Sequence, residues 1–427
     1  MERNDPRYQA YVELLKEELI PAMGCTEPIA LAYAAAKARE VLGVLPDSVQ
    51  LQVSGSIIKN VKSVIVPNTG HLKGMEAAVA AGIIAGSAEK ELEVISEVSE
   101  EKKSAIRDYL QTVPITIEHT EQGHVLDIVV TERCGQDYAR VRIVDYHTNI
   151  CRIEKNGTVL YEVPLLDETV QEDARADRSL LNMQDIWDFA ETADLRDVAD
   201  LLERQIRYNN AIAEEGLLGD YGANIGRVLL TTYGNDVSNR AKAKAAAGSD
   251  ARMNGCELPV IINSGSGNQG ITCSVPLIEY AKELHSGKEK LYRALIISNL
   301  VAIHEKTGIG TLSAYCGAVS AGVGAGAGIA YLKGGRFETI AHTVVNAIAV
   351  TSGIICDGAK ASCAAKIAAS VDAGLLGLAM FESGNQFFGG DGIVKKGVEN
   401  TIATVGKLAR IGMEQTDKEI IHLMMEA

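Results

Sequence analysis

The sequence predicts an α+β fold in which a large all-helical body carries a smaller strand-rich α/β domain, inserted after N-terminal helices. Three observations support it. The hydrophobic period changes from helical to alternating near Ser48 and returns to helical near Met183. The 427 residues exceed what one ordinary core accommodates, so two units are expected. Hydrophobic residues make up 47% of the chain and aromatic ones only 5%, with 41 glycines, so the core must come from small aliphatic side chains on closely packed helices.

Residues 1–45 read as two helices between Tyr8 and about Leu42, expected to pack on the helical body because they share its small-residue content. They are separated by Pro21-Ala-Met-Gly-Cys-Thr-Glu-Pro28. Thr26 is the expected N-cap of the second helix, with Glu27 and Pro28 as its first residues, so Cys25 abuts a helix N-terminus. Residues 46–166 form the strand-rich unit. Short branched runs mark strands at Val49 to Val53, Val61 to Val66, Val113 to Glu118, His124 to Thr131 and Ala139 to Tyr146, with helices near Met75 to Ala85 and Glu101 to Leu110. Cys151 to Tyr161 reads as a hairpin turning at Asn156-Gly157.

Residues 167–427 make up the helical body. The charged stretch from Asp167 to Arg178 reads as a linker or surface helix, and beyond Met183 helical periods are broken by glycine turns at residues 263–270, 308–310, 334–335 and 389–392. Ser266-Gly-Asn-Gln269 recurs as Ser383-Gly-Asn-Gln386, either a structural echo or a chance match.

Composition excludes several classes of partner. A net charge of −15 without any Lys/Arg block argues against nucleic acid and anionic membranes, and fits an enzyme for small molecules. The first residues run straight into an amphipathic pattern instead of a basic then apolar leader, so a cytoplasmic location is expected. No charge occurs between Lys306 and Lys333, but Gly, Ala and Ser dominate that run, which indicates buried packed helices and not a membrane span. Small-residue helices would also suit a homodimer interface.

Four features could carry chemistry. Cys316, Cys356 and Cys363 lie among glycines in the helical body, where soft thiolates suit an iron–sulfur cluster; the same residues could be small buried hydrophobes, and zinc is a lesser alternative because no Cys-x₂-Cys pair exists. Cys25, at a helix N-terminus, should have a lowered pKa and could act as base or nucleophile, or merely pack. Asn263-Ser-Gly-Ser-Gly-Asn-Gln-Gly270 could form a nest of backbone N–H groups for a carboxylate or phosphate, or a plain loop; Ser54-Gly-Ser56 and Pro67 to Gly74 allow the same two readings. His304, Lys306, Lys360 and Lys366 lie near these motifs and could be acids or bases, or solvated side chains.

In wording and order, Met-Gly-Cys-Thr-Glu-Pro (23–28), Gly-Ser-Gly-Asn-Gln-Gly-Ile-Thr (265–272), Ala-Tyr-Cys-Gly-Ala-Val-Ser-Ala-Gly (314–322) and Gly-Ile-Ile-Cys-Asp-Gly-Ala-Lys (353–360) resemble the L-cysteine desulfidase (UPF0597) family, over essentially the whole chain. The last two blocks are similar, more distantly, to the alpha region of iron–sulfur L-serine dehydratases. The resemblance implies a [4Fe-4S] cluster on Cys316, Cys356 and Cys363, and Cys25 as proton acceptor. It also implies a lyase turning cysteine into pyruvate, sulfide and ammonia. On that reading Ser266, Gly267, Asn268, Gln269 and Gly270 would hold the amino acid's carboxylate. The alternatives are a serine-specific lyase sharing this chemistry, a non-catalytic iron or redox sensor, and a zinc-stabilised binding protein. Serine dehydratases can end in a cysteine that reaches the cluster, whereas this chain ends His422-Leu-Met-Met-Glu-Ala427.

Overall fold

A computed structural model of the chain describes residues 1–120, 124–164, 176–310 and 312–426. The fold is α+β, with one six-stranded mixed sheet beside a helical majority. Helix α1 (Pro6–Glu18) starts where the Asp5 side chain accepts from Arg7 N–H. A three-residue strand, β1 (Pro21–Met23), then leads into helix α2 (Thr26–Leu42), with Cys25 and not Thr26 in the N-cap position.

The strand-rich unit begins with β2 (Ser48–Ser54), which runs directly into helix α3 (Gly55–Val61). Helices α4 (Gly74–Ala85) and α5 (Glu100–Thr112) follow, then β3 (Ile115–Thr120), β4 (Asp127–Cys134), β5 (Asp137–Val144), β6 (Ile150–Lys155) and β7 (Thr158–Glu162). Spatial order is β3-β2-β4-β5-β6-β7; only the β2–β3 pair is parallel, as its helical crossover requires. The β6–β7 hairpin turns at Asn156 and Gly157, both at positive φ (50° and 80°), the mirror-image turn expected from Asn-Gly.

Two sequence expectations fail in this half of the chain. Val61 to Val66 is no strand: Val61 ends α3, and Val64 and Val66 are buried in a turn where only Ile65 makes a β-bridge, to Lys73. The branched residues there fill a core corner instead of alternating along a ladder. Residues 1–45 do not pack together on the helical body either. Helix α1 does contact it, at residues 183–192 and 288–309, but α2 lies between α4 and strands β4 and β5. Its alanines let α4 come so close that a Cβ on Gly82 would sit 2.1 Å from the Ala32 carbonyl oxygen.

Of the charged stretch Asp167 to Arg178, residues 167–175 lie outside the described residues; Arg178 opens a single 3₁₀ turn and pairs with Glu18. The helical body then comprises α6 (Met183–Thr192), α7 (Ala199–Leu218), α8 (Ile225–Tyr233), α9 (Val237–Met253), strand β8 (Pro259–Ile261), α10 (Gly267–Glu283), α11 (Lys288–Ile309), α12 (Gly317–Leu332), α13 (Phe337–Thr351), α14 (Cys363–Glu382), α15 (Val398–Lys407) and α16 (Glu414–Glu426). The charge-free α12 is the central helix, buried by α10, α11, α13 and α14. Among the described residues α14 alone is long and apolar enough to cross a membrane, and it is packed on α9, α12 and α13.

The tetrapeptide echo is not structural. Ser266 to Gln269 opens α10, whereas Ser383 to Gln386 forms an exposed turn after α14. One continuous hydrophobic core runs through both units. The C-terminal α16 docks on α3, where Lys59 Nζ meets Asp417 Oδ1 at 2.5 Å.

Candidate active site

Two small β contacts assemble the site from distant parts of the chain. Strands β1 and β8 pair antiparallel, Pro21 opposite Ile261 and Met23 opposite Pro259, which sets Cys25 beside the glycine loop that follows β8. Thr26 Oγ1 donates to the Gly265 carbonyl at 2.9 Å and locks the two together. That loop is a tight turn: Ser264 and Gly265 have φ of 49° and 75°, and Asn263 and Ser266 exchange backbone hydrogen bonds of 3.1 and 3.0 Å. The second contact is a β-bridge between Tyr315 and Ile355. Cys316 N–H donates to Ile354 O at 3.1 Å and Cys356 N–H to Ala314 O at 2.6 Å, so these two cysteines stand side by side although 40 residues separate them in the chain.

Cys363 begins α14, with its thiol 3.6 Å from the Gly358 carbonyl. Gly358 is at positive φ, and a Cβ there would lie 2.0 Å from Lys59 O; the glycine lets this loop close onto α3. The result is one cavity of about 100 Å³. Cys25, Cys316, Cys356 and Cys363 line it together with Lys59 and Lys306. Cys25 and Cys363 also share a small apolar cluster with Val64 and Met253.

The predicted loop residues divide. Ser266, Asn268 and Gln269 line the cavity. Gly267 and Gly270 do not: a Cβ on Gly267 would meet Arg252 Nε at 2.3 Å, and one on Gly270 would meet Ile261 O at 1.9 Å, so both are glycines for close packing. The first-turn N–H groups of α10 have no intrahelical partner, as at every helix start, which leaves the anion-nest reading of this loop physically open.

The other predicted groups fall differently. Lys306 is buried in the cavity wall; burial lowers its pKa to about 8, opposed by the thiols of Cys356 and Cys316. His304 faces away, its Nε2 2.8 Å from Glu399 Oε2. Lys360 and Lys366 are tied to Asp357 beside the cavity. Ser54 precedes a helix whose Gly55 lies under Ile421, and the Pro67 to Gly74 loop is closed by Thr69 Oγ1 donating to Val66 O at 2.7 Å.

The electrostatics of Cys25 reverse the expectation from its helix position. Its pKa is pushed well above the ordinary thiol value, first by complete burial and then by the neighbouring Glu27 carboxylate, with Arg252 only partly offsetting this. A helix dipole acting on a single thiol is smaller than these two effects. The thiol donates to Glu27 Oε2 at 3.0 Å, Thr26 Oγ1 lies 3.1 Å from the same oxygen, and His147 Nε2 lies 3.8 Å from Glu27 Oε1. Burial pushes Glu27 upward, but His147 and the Cys25 proton outweigh it and hold the carboxyl down at about 2. Within the Cys316/Cys356 pair, a proton donated by Cys316 lowers Cys356, aided by the Lys59 and Lys306 ammonium groups; Cys316 is raised correspondingly. Burial raises Cys363.

Three soft thiols around one cavity, two backed by buried ammonium groups, are a donor set suited to an iron–sulfur cluster. Among the described residues no group of three or more His, Cys, Asp and Glu side chains is spaced to hold a single metal ion. A cube of irons and sulfides is wider than an ion and takes its ligands from around a cavity, and Cys316, Cys356 and Cys363 line one. Sequence reasoning missed Arg252, His147 and Lys59 as site residues, and read Glu27 only as a helix-start acid. No local motif surrounds Arg252 or His147, and burial alone reveals them.

The chain is similar to known proteins over essentially its whole length. Residues 89–422 match the family described as serine dehydratase alpha chain. A UPF0597 protein of Desulfitobacterium hafniense is 60% identical over 425 residues, covering 100% of this chain and 98% of its relative. UPF0597 proteins of Lachnoclostridium phytofermentans and Treponema denticola are 52% and 46% identical, covering 98% and 100% of this chain and 100% of each relative.

Proposed function

The chain belongs to the UPF0597 family and, across residues 89–422, to the serine dehydratase alpha chain family, and from that premise we propose that it is a lyase eliminating the β-substituent of a small amino acid, with L-cysteine as substrate and pyruvate, sulfide and ammonia as products. One observation carries the reading: Cys316, Cys356 and Cys363, from separate parts of the sequence, line one small cavity together with Cys25. The three would hold a [4Fe-4S] cluster, which when bound supplies a Lewis-acidic iron for the departing sulfur.

The protein's own residues do the rest. Cys25 takes the α-proton. It does so as a thiolate, once the proton it donates to Glu27 at rest has left the site; Glu27 directs that proton without keeping it, and His147 orients the carboxylate. Ser266 and the start of α10 face the substrate's polar end.

L-Serine is the second reading, favoured by the family match over residues 89–422. Side-by-side assays of cysteine and serine under argon, following sulfide and pyruvate, separate the two. Anaerobically prepared Cys316→Ala, Cys356→Ala and Cys363→Ala proteins should lose iron, sulfide and brown colour; full retention in any of them removes that residue from the ligand set. Cys25→Ala should keep the cluster and lose turnover. Loss of iron in that variant would make Cys25 a ligand instead.

A further inference from the structure

We propose that Arg252 receives the substrate's α-carboxylate and thereby restricts the site to free amino acids, excluding the corresponding amines. The assignment deepens the lyase reading and rests on it for the identity of the substrate.

Arg252 is the penultimate residue of α9 and is 2% exposed, yet it forms no ion pair or hydrogen bond to another described residue. Its Nε is buried without a partner, and the guanidinium presses on the backbone at Gly267, where no side chain could fit. A buried guanidinium without a counter-ion is costly, so an anion from outside is the natural complement. The carboxylate nearest to hand does not serve: Glu27 already accepts from Cys25 and faces His147.

Besides His147 Nε2 and Tyr315 OH, the cavity holds two unsatisfied groups of the opposite polarity. Asn268 Oδ1 and Gln269 Oε1 are buried acceptors without donors, and both residues line the same cavity as Arg252. A fixed cation beside two vacant carbonyl oxygens complements a zwitterion, carboxylate to the guanidinium and ammonium to the amide oxygens. With those ends fixed, the carbons between them face Cys25 and the three remaining thiols, the wall where the proposed reaction takes place.

A different role for Arg252, as counter-charge to a Cys25 thiolate, makes different predictions. The experiment uses anaerobically prepared wild-type, Arg252→Gln and Arg252→Lys proteins, with calorimetric titration of L-alanine, which has a carboxylate but no leaving group, and of cysteamine, which has no carboxylate. Arg252→Gln should weaken L-alanine binding about a hundredfold or more, and Arg252→Lys should raise the KM for L-cysteine by a similar factor without moving the pH profile of kcat. Cysteamine should bind wild type and variants alike. Unchanged L-alanine affinity, an equal loss for cysteamine, or a shifted kcat profile at constant KM overturns the assignment. Should Arg252→Gln not fold, the lysine variant decides alone. Because L-alanine binding needs no turnover, a wild-type protein that binds it through Arg252 but eliminates nothing sinks the lyase reading only; normal turnover with Arg252-independent binding sinks this inference only.

Discussion

Glu27 links the proposed chemistry to stability, and Glu27→Gln tests both. In the folded protein the carboxyl is held at about 2, against an ordinary 4.5, because contacts from His147 and Cys25 outweigh its burial. A depressed carboxyl stabilises the fold when ionised, so the contribution is complete above the unfolded value of 4.5 and disappears as pH falls through the folded value of about 2. Integrating the linkage over a shift of that size yields about 3 kcal/mol at pH 6 and about 1 kcal/mol at pH 3. Glutamine keeps the shape and an acceptor for the Cys25 proton but cannot ionise. Urea unfolding of the two proteins should therefore show the wild-type advantage shrinking by about 2 kcal/mol between pH 6 and pH 3. The same variant should lose turnover while keeping its iron, since the charge that directs the Cys25 proton has gone. A stability difference that stays constant across that pH range would refute the Cys25–Glu27–His147 arrangement.

Other expectations follow from the packing. Gly270→Ala drives a Cβ to 1.9 Å from Ile261 O between β8 and α10, and should destabilise by about 3 kcal/mol, read as a lower urea midpoint at unchanged slope. Asp417→Ala strands the ammonium of Lys59, itself 1% exposed, and should cost about 3 kcal/mol; limited proteolysis should then cut α16 free sooner than in wild type, while equal cleavage rates would mean that the ion pair does not hold the helix. Gly157→Ala, at φ 80° in an exposed hairpin, should cost only about 1 kcal/mol and leave iron content untouched, which marks the β6–β7 edge as remote from the site.

Much of the helical body was legible because its signals are long. A helix such as α12 or α14 repeats its small-residue pattern over many turns, and the Asn156-Gly157 turn states its own backbone geometry. The cysteines were legible as candidates for another reason: a thiol among glycines is chemically unusual wherever it sits. Their convergence was not. It depends on the β1–β8 pair and on the single bridge at Tyr315 and Ile355, elements too short for any periodicity to register.

The errors share a physical cause. Val61 to Val66 and the Cys25 thiol were both judged from their nearest neighbours in sequence, whereas burial by distant segments decides both. Val64 packs with Met253 and Cys25, so its branched side chain fills a corner between units and never enters a ladder. That enclosure also removes water from the thiol, and with Glu27 adjacent the desolvation overrides the helix dipole. Arg252 and His147 belong to the same class, as polar residues whose meaning depends on what surrounds them. A guanidinium at the end of a helix ordinarily faces water and complements the helix dipole; here β8 and the loop after it cover that helix end, and the same side chain lines a cavity of thiols and amides. The fold thus generates reactivity at this site by enclosing ordinary side chains.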